Sequence, residues 1–118
     1  MRLLLDTHAL LWALSAPARL PARVSAAIRE PSNAVYVSAA TAWEIAIKVA
    51  LGKLTADMDE IARAIEDVGF EELAVRIAHA RRLRTLPPHH RDPFDRMLVA
   101  QALEEGLTIV TRDRQLAA

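Results

Sequence analysis

Residues 35–52 read VYVSAATAWEIAIKVALG, and the hydrophobic pattern changes period part-way along. Val35, Tyr36 and Val37 form a short apolar run of the kind buried in a sheet. Ser38 is a favoured helix N-cap, Ala39 to Leu51 suits a helix, and Gly52 stands just past its end. A strand running directly into a helix is one β-to-α unit. If the unit repeats, the outcome is a parallel sheet with helices on both faces.

It does repeat. Upstream, Arg2 to Leu5 is an apolar strand ending in Asp6 and Thr7, followed by a helix over Ala9 to Leu14. Pro17 and Pro21 separate that helix from an amphipathic one over residues 22–30, which has Val24, Ala27 and Ile28 on one face and ends at Pro31, Ser32 and Asn33. Downstream, Ile61, Ala64, Ile65 and Val68 have helical spacing, Phe70 to Ala74 reads as a strand and Val75 to Leu83 as a helix. Thr85 to Arg91 is a loop, and Asp92 with Pro93 starts a helix that stops at Gly106. Leu107 to Val110 is a fourth strand, followed by a short helical tail. The predicted class is α/β, a three-layer α/β/α sandwich around a parallel sheet of four to five strands.

The 118 residues, 53% hydrophobic and 25% charged, fit one globular domain and exclude extensive disorder. The absence of cysteine excludes disulfides, thiolate metal sites and a cysteine nucleophile, and suits a reducing compartment. Asp6 and His8 interrupt Leu3, Leu4 and Leu5 before an export signal forms, and Glu44 and Lys48 interrupt the longest apolar stretch. The expectation is a cytoplasmic protein without a membrane span.

Fifteen basic and fifteen acidic residues cancel, but they are unevenly placed. Residues 55–72 hold seven acids against Arg63 alone, whereas residues 74–91 hold five arginines, three histidines and no acid. Two solvated faces of opposite sign account for this as well as an anion-binding rim does.

In open parallel sheets, ligands sit beyond the carboxyl ends of the strands, so the acids there matter most. Asp6 follows the first strand and also suits a helix N-cap. Glu44 is the only charge between Pro31 and Lys48, and is a partly exposed surface residue favoured by the helix dipole, an i,i+4 partner of Lys48, or an inward-facing ligand. Asp92 suits an N-cap, which places Asp95 on the first turn, on a face shared with Leu98, Val99 and Ala102 and directed at the sheet. Asp113, two residues after Thr111, repeats the placement of Asp6. Four acids converging on one edge would repel severely without a cation. With oxygen ligands alone, Mg²⁺ or Mn²⁺ is favoured over Zn²⁺. Such ions activate water and neutralise phosphorane charge, the chemistry of phosphodiester hydrolysis.

The blocks MRLLLDT with His8, SAATAWEIAIK (38–48), LGKL (51–54), LPPHHRDPFDRMLVAQAL (86–103) and GLTIVTRD (106–113) together resemble a PIN domain, most closely the VapC-type toxins of bacterial type II toxin-antitoxin pairs. The resemblance covers nearly the whole chain. It implies that Asp6, Glu44, Asp95 and Asp113 bind Mg²⁺ or Mn²⁺ and carry catalysis. It also implies that Thr7, Ser38 and Thr111 orient those carboxylates, while Asp92 is an extra acid close by. His8 has no role in that pattern and is expected to be packed or on the rim. The implied activity is metal-dependent endoribonuclease cleavage, with a cognate antitoxin as partner, a homodimer as the usual assembly, and DNA met only through the antitoxin. Arg81, Arg82, Arg84 and Arg91 are candidates for holding substrate phosphates. Core packing is the expected use of Trp12 and Trp43. Such domains usually continue into a final strand, whereas this sequence stops seven residues past Thr111, so the expectation is one domain over residues 1–118 without that strand.

Two rivals belong to other classes. A catalytically weak binding module acting through an antitoxin–DNA complex would not need four carboxylates. A phosphoacceptor or phosphatase domain would want a second acid beside Asp6, where Thr7 and His8 stand instead.

Overall fold

The computed structural model describes residues 1–87 and 92–111. Arg91, Asp113, the helical tail and any fifth strand lie outside the described residues. The elements are β1 (Arg2–Leu5), α1 (Thr7–Ser15), a 3-10 turn (Pro17–Arg19), α2 (Ala22–Arg29), β2 (Ala34–Ser38), α3 (Ala39–Ala50), α4 (Met58–Asp67), β3 (Glu71–Leu73), α5 (Ile77–Leu83), α6 (Pro93–Glu105) and β4 (Thr108–Val110). The four strands form one parallel sheet in the order β3-β2-β1-β4. The α/β layering read from the sequence therefore stands.

Alternation along β1 builds the layers. Successive strand side chains point to opposite faces. Leu3 and Leu5 join Val35, Val37 and Val110 in a core that also takes Ala9 and Leu10 of α1, Val24 of α2 and Ile45 of α3. Leu4 points the other way, into a second core with Ile109, Leu107 and the α6 residues Leu98 and Ala102. All three leucines of β1 are fully buried, and burying one contributes about 1.5–3 kcal/mol.

Local signals set the ends of the helices. The Ser38 hydroxyl accepts from the Ala40 N–H at 3.0 Å and starts α3 where β2 stops. Asp57 caps α4 through the N–H groups of Asp59 and Glu60. Gly106 ends α6 with φ 69°, a left-handed conformation that glycine adopts without strain. Among the described residues, no helix is long and apolar enough to cross a membrane.

Candidate active site

Because the strands are parallel, β1, β2 and β4 end on the same edge of the sheet, at Asp6, Ser38 and Thr111. From β1 the chain passes to β2 and β3 on one side, and β4 returns on the other side of β1. That reversal is where open α/β sheets form a ligand crevice. Asp6 stands on it. Its N–H donates to the Val110 carbonyl at 3.0 Å, and its Oδ1 accepts from the Ala9 N–H at 2.8 Å, capping α1. The cap fixes where the carboxylate stands, and α1 begins at Thr7, two residues earlier than the sequence suggested.

Glu44 is only 6% exposed, on the second turn of α3. The Thr7 hydroxyl donates to its Oε1, and Lys48 Nζ donates to its Oε2 at 2.7 Å. Glu44 therefore pairs with Lys48 at the i,i+4 spacing and is buried at the same time. One turn earlier, the buried Thr41 hydroxyl has no hydrogen-bond partner among the described residues.

At the start of α6, Asp92 Oδ1 accepts from the N–H groups of Phe94, at 2.8 Å, and Asp95, at 3.2 Å. Leu98 and Ala102 are buried against the sheet, but Asp95 is exposed. The expectation that Asp95 shares their sheet-facing position is therefore corrected: on the first turn of α6 it is exposed, whereas Leu98 and Ala102 further along are buried.

Lys48 is bonded to Glu44 and lies in the field of Asp92 and Asp95. Its hydrogen bond to Glu44, more than the opposing desolvation, holds its pKa above the ordinary 10.5, and the fields of Glu44, Asp92 and Asp95 add to the effect. The pair therefore contributes stability at pH values below about 10.5 and loses it as the pH climbs through the raised value. Among the described residues, no three acids or histidines are gathered closely enough to hold an ion, and Asp113 lies outside them. The donor chemistry nevertheless fits a hard cation, since Asp6, Glu44 and Asp95 offer oxygen donors alone.

A family model described as PIN domain matches residues 3–118. The chain belongs to the PIN domain family. It is 32% identical over 121 residues to Ribonuclease VapC22 of Mycobacterium tuberculosis, covering 96% of this chain and 88% of the relative. Its fold superimposes with a TM-score of 0.67 on a chain from the crystal structure of VapBC2 from Rickettsia felis bound to a DNA fragment from their promoter. That match has 14% identity and covers 94% of this chain and 86% of the other.

Within this PIN domain, the arginine-rich segment divides. Arg81, Arg82 and Arg84 line a cavity of about 230 Å³ beside Thr85 and Glu104. Arg82 Nε donates to Glu104 at 3.1 Å. Glu104 lies nine residues from Asp95, about 13 Å along the α6 axis, so Arg82 is anchored away from the acids. His79 is fully buried, bound through Nε2 to Glu105 at 2.8 Å, and forms no part of a solvated cationic face. Arg96, which sequence reasoning passed over, donates to the carbonyls of Leu83 and Pro87 and fastens the chain after α5 to α6. His8 is exposed with its ring edge-on to Trp12, in keeping with a rim histidine.

Trp43 departs from expectation. Trp12 packs against the first core, but Trp43 is 63% exposed. Its ring meets Phe94 edge-on, with centroids 5.3 Å apart, over an apolar groove of about 440 Å³ lined also by Val75, Leu83 and Met97. No periodicity could reveal this, because the groove exists only where α3, α5 and α6 meet.

Proposed function

We propose that this PIN domain is a Mg²⁺- or Mn²⁺-dependent endoribonuclease, the toxin of a toxin–antitoxin pair. The observation carrying the reading is the buried carboxylate of Glu44, bonded to a lysine that also feels Asp92 and Asp95 at the start of α6. The name of the ribonuclease relative supports the substrate class. Asp6, Glu44 and Asp95, together with Asp113, would hold the ion, which when bound activates water and offsets charge on phosphorus. Thr7 keeps Glu44 oriented by donating to one oxygen. The cap from the Ala9 N–H holds Asp6 at the crevice, and the Asp92 cap fixes the first turn that presents Asp95. In the hydrolysis, a water oxygen bonds to phosphorus, the ester bond to the leaving ribose oxygen breaks, and that oxygen takes a proton.

The direct test is bacterial growth on induction of the wild-type chain and of Asp6→Asn without an antitoxin. Asn caps helices as well as Asp does, so the variant should fold. Arrest by wild type alone, with new RNA ends on sequencing, is expected. Absence of arrest with either chain would favour a binding module acting through an antitoxin on DNA.

The proposed setting is the cytoplasm, with a cognate antitoxin and a homodimer as the assemblies. The exposed Trp43 groove supports an apolar interface, since such patches mark association surfaces. Trp43→Asp is expected to halve the mass measured by light scattering. An unchanged mass would place the dimer contact, if one forms, elsewhere.

A further inference from the structure

Both oxygens of the buried Glu44 carboxylate are occupied, one by the Thr7 hydroxyl and the other by an ion, the Lys48 ammonium at 2.7 Å. Lys48 keeps 40% side-chain exposure, so its stem runs along an open helix surface and only its head turns inward. A lysine at such a position ordinarily extends its head into water. Here the carboxylate holds it, because a buried charge without a partner is costly. Asp92 and Asp95 add their attraction. One positive charge therefore occupies an oxygen of a carboxylate that the metal-dependent reading assigns to a divalent cation.

We propose that Lys48 is a built-in counter-ion that competes with the divalent cation for Glu44 and so sets the metal affinity of this protein. The ammonium leaves Oε2 when a cation takes Glu44 and returns when the cation is lost. The inference rests on the metal-dependent reading above. It accounts for the lysine partner that a carboxylate as buried as Glu44 requires. It also requires the incoming cation to give up part of its attraction to Glu44, since it must displace or approach a like charge.

Calorimetric titration of Mn²⁺ into the full chain tests this, using wild type, Lys48→Gln, Lys48→Met and, as a control for net charge, Lys53→Gln on the exposed turn after α3. Glutamine keeps an amide donor for Glu44 and carries the test if the methionine variant fails to fold. Both Lys48 variants are expected to bind Mn²⁺ at least about tenfold more tightly than wild type, with Lys53→Gln unchanged. Melting curves should show a larger rise on adding Mn²⁺ for the Lys48 variants than for wild type. Equal or weaker binding by both Lys48 variants overturns the proposal, as does equal tightening by Lys53→Gln. Absence of Mn²⁺ binding in every protein, wild type included, overturns the metal-dependent reading and the proposal together.

Discussion

Glu44→Gln is expected to lower RNA cleavage by about a thousandfold or more while leaving the melting temperature within a few degrees of wild type. The size follows from losing a carboxylate that holds the cation, since several kcal/mol of charge stabilisation at about 1.4 kcal/mol per tenfold gives that range. Stability is spared because the amide oxygen still accepts from Thr7, and Lys48, already 40% exposed, regains water when its ionic partner is lost. Glu44→Ala is a different experiment, since it leaves a cavity beside two buried hydroxyls, Thr7 and Thr41. Thr7→Val should cost about 10–100-fold, the usual range for a residue that orients a ligand. Cleavage assays on purified, folded variants alongside thermal melts separate the cases. If Glu44→Gln loses activity only in proportion to lost fold, Glu44 is a structural ion-pair residue and the catalytic assignment fails.

What could be read from the sequence depended on how local its physical cause was. The apolar triplets of β1 and β2 and the caps at Asp6, Ser38 and Asp92 act within a few residues, so strands and helix starts were visible. Glu44 stood out because a lone charge in an apolar helix needs an explanation, and its Lys48 partner lies at the i,i+4 distance that helix geometry dictates. Asp95 was harder. Its spacing to Leu98 and Ala102 puts it on their face, but where α6 begins relative to the sheet edge is set by tertiary packing. Trp43 and His79 were misplaced for the same reason. A tryptophan in an apolar helix reads as core until the third layer is built, and a histidine amid arginines reads as surface until α6 covers it. Asp113, expected as the fourth acid, lies outside the described residues.

His79→Ala is expected to destabilise the fold by about 2–4 kcal/mol, measured by urea unfolding, without altering cleavage per folded molecule. The imidazole is fully buried. Its Nδ1 accepts from the Arg76 N–H at 2.9 Å, so the ring proton stands on Nε2 and donates to Glu105 at 2.8 Å. One side chain thus caps the first turn of α5 and bonds that helix to the end of α6. With only seven residues, α5 is too short to persist without tertiary support. Alanine leaves the Arg76 N–H without this acceptor and opens a cavity beside Gln101, whose side-chain oxygen already lacks a partner among the described residues. His79→Gln should recover part of the loss, since a glutamine at the third helical position can reach back to the N-cap N–H. Glu105 stands ten residues from Asp95, near the far end of α6, so the defect is expected to leave the acidic edge intact. A loss below about 1 kcal/mol would mean that Arg96 and the packing of α5 hold the helix pair without the histidine.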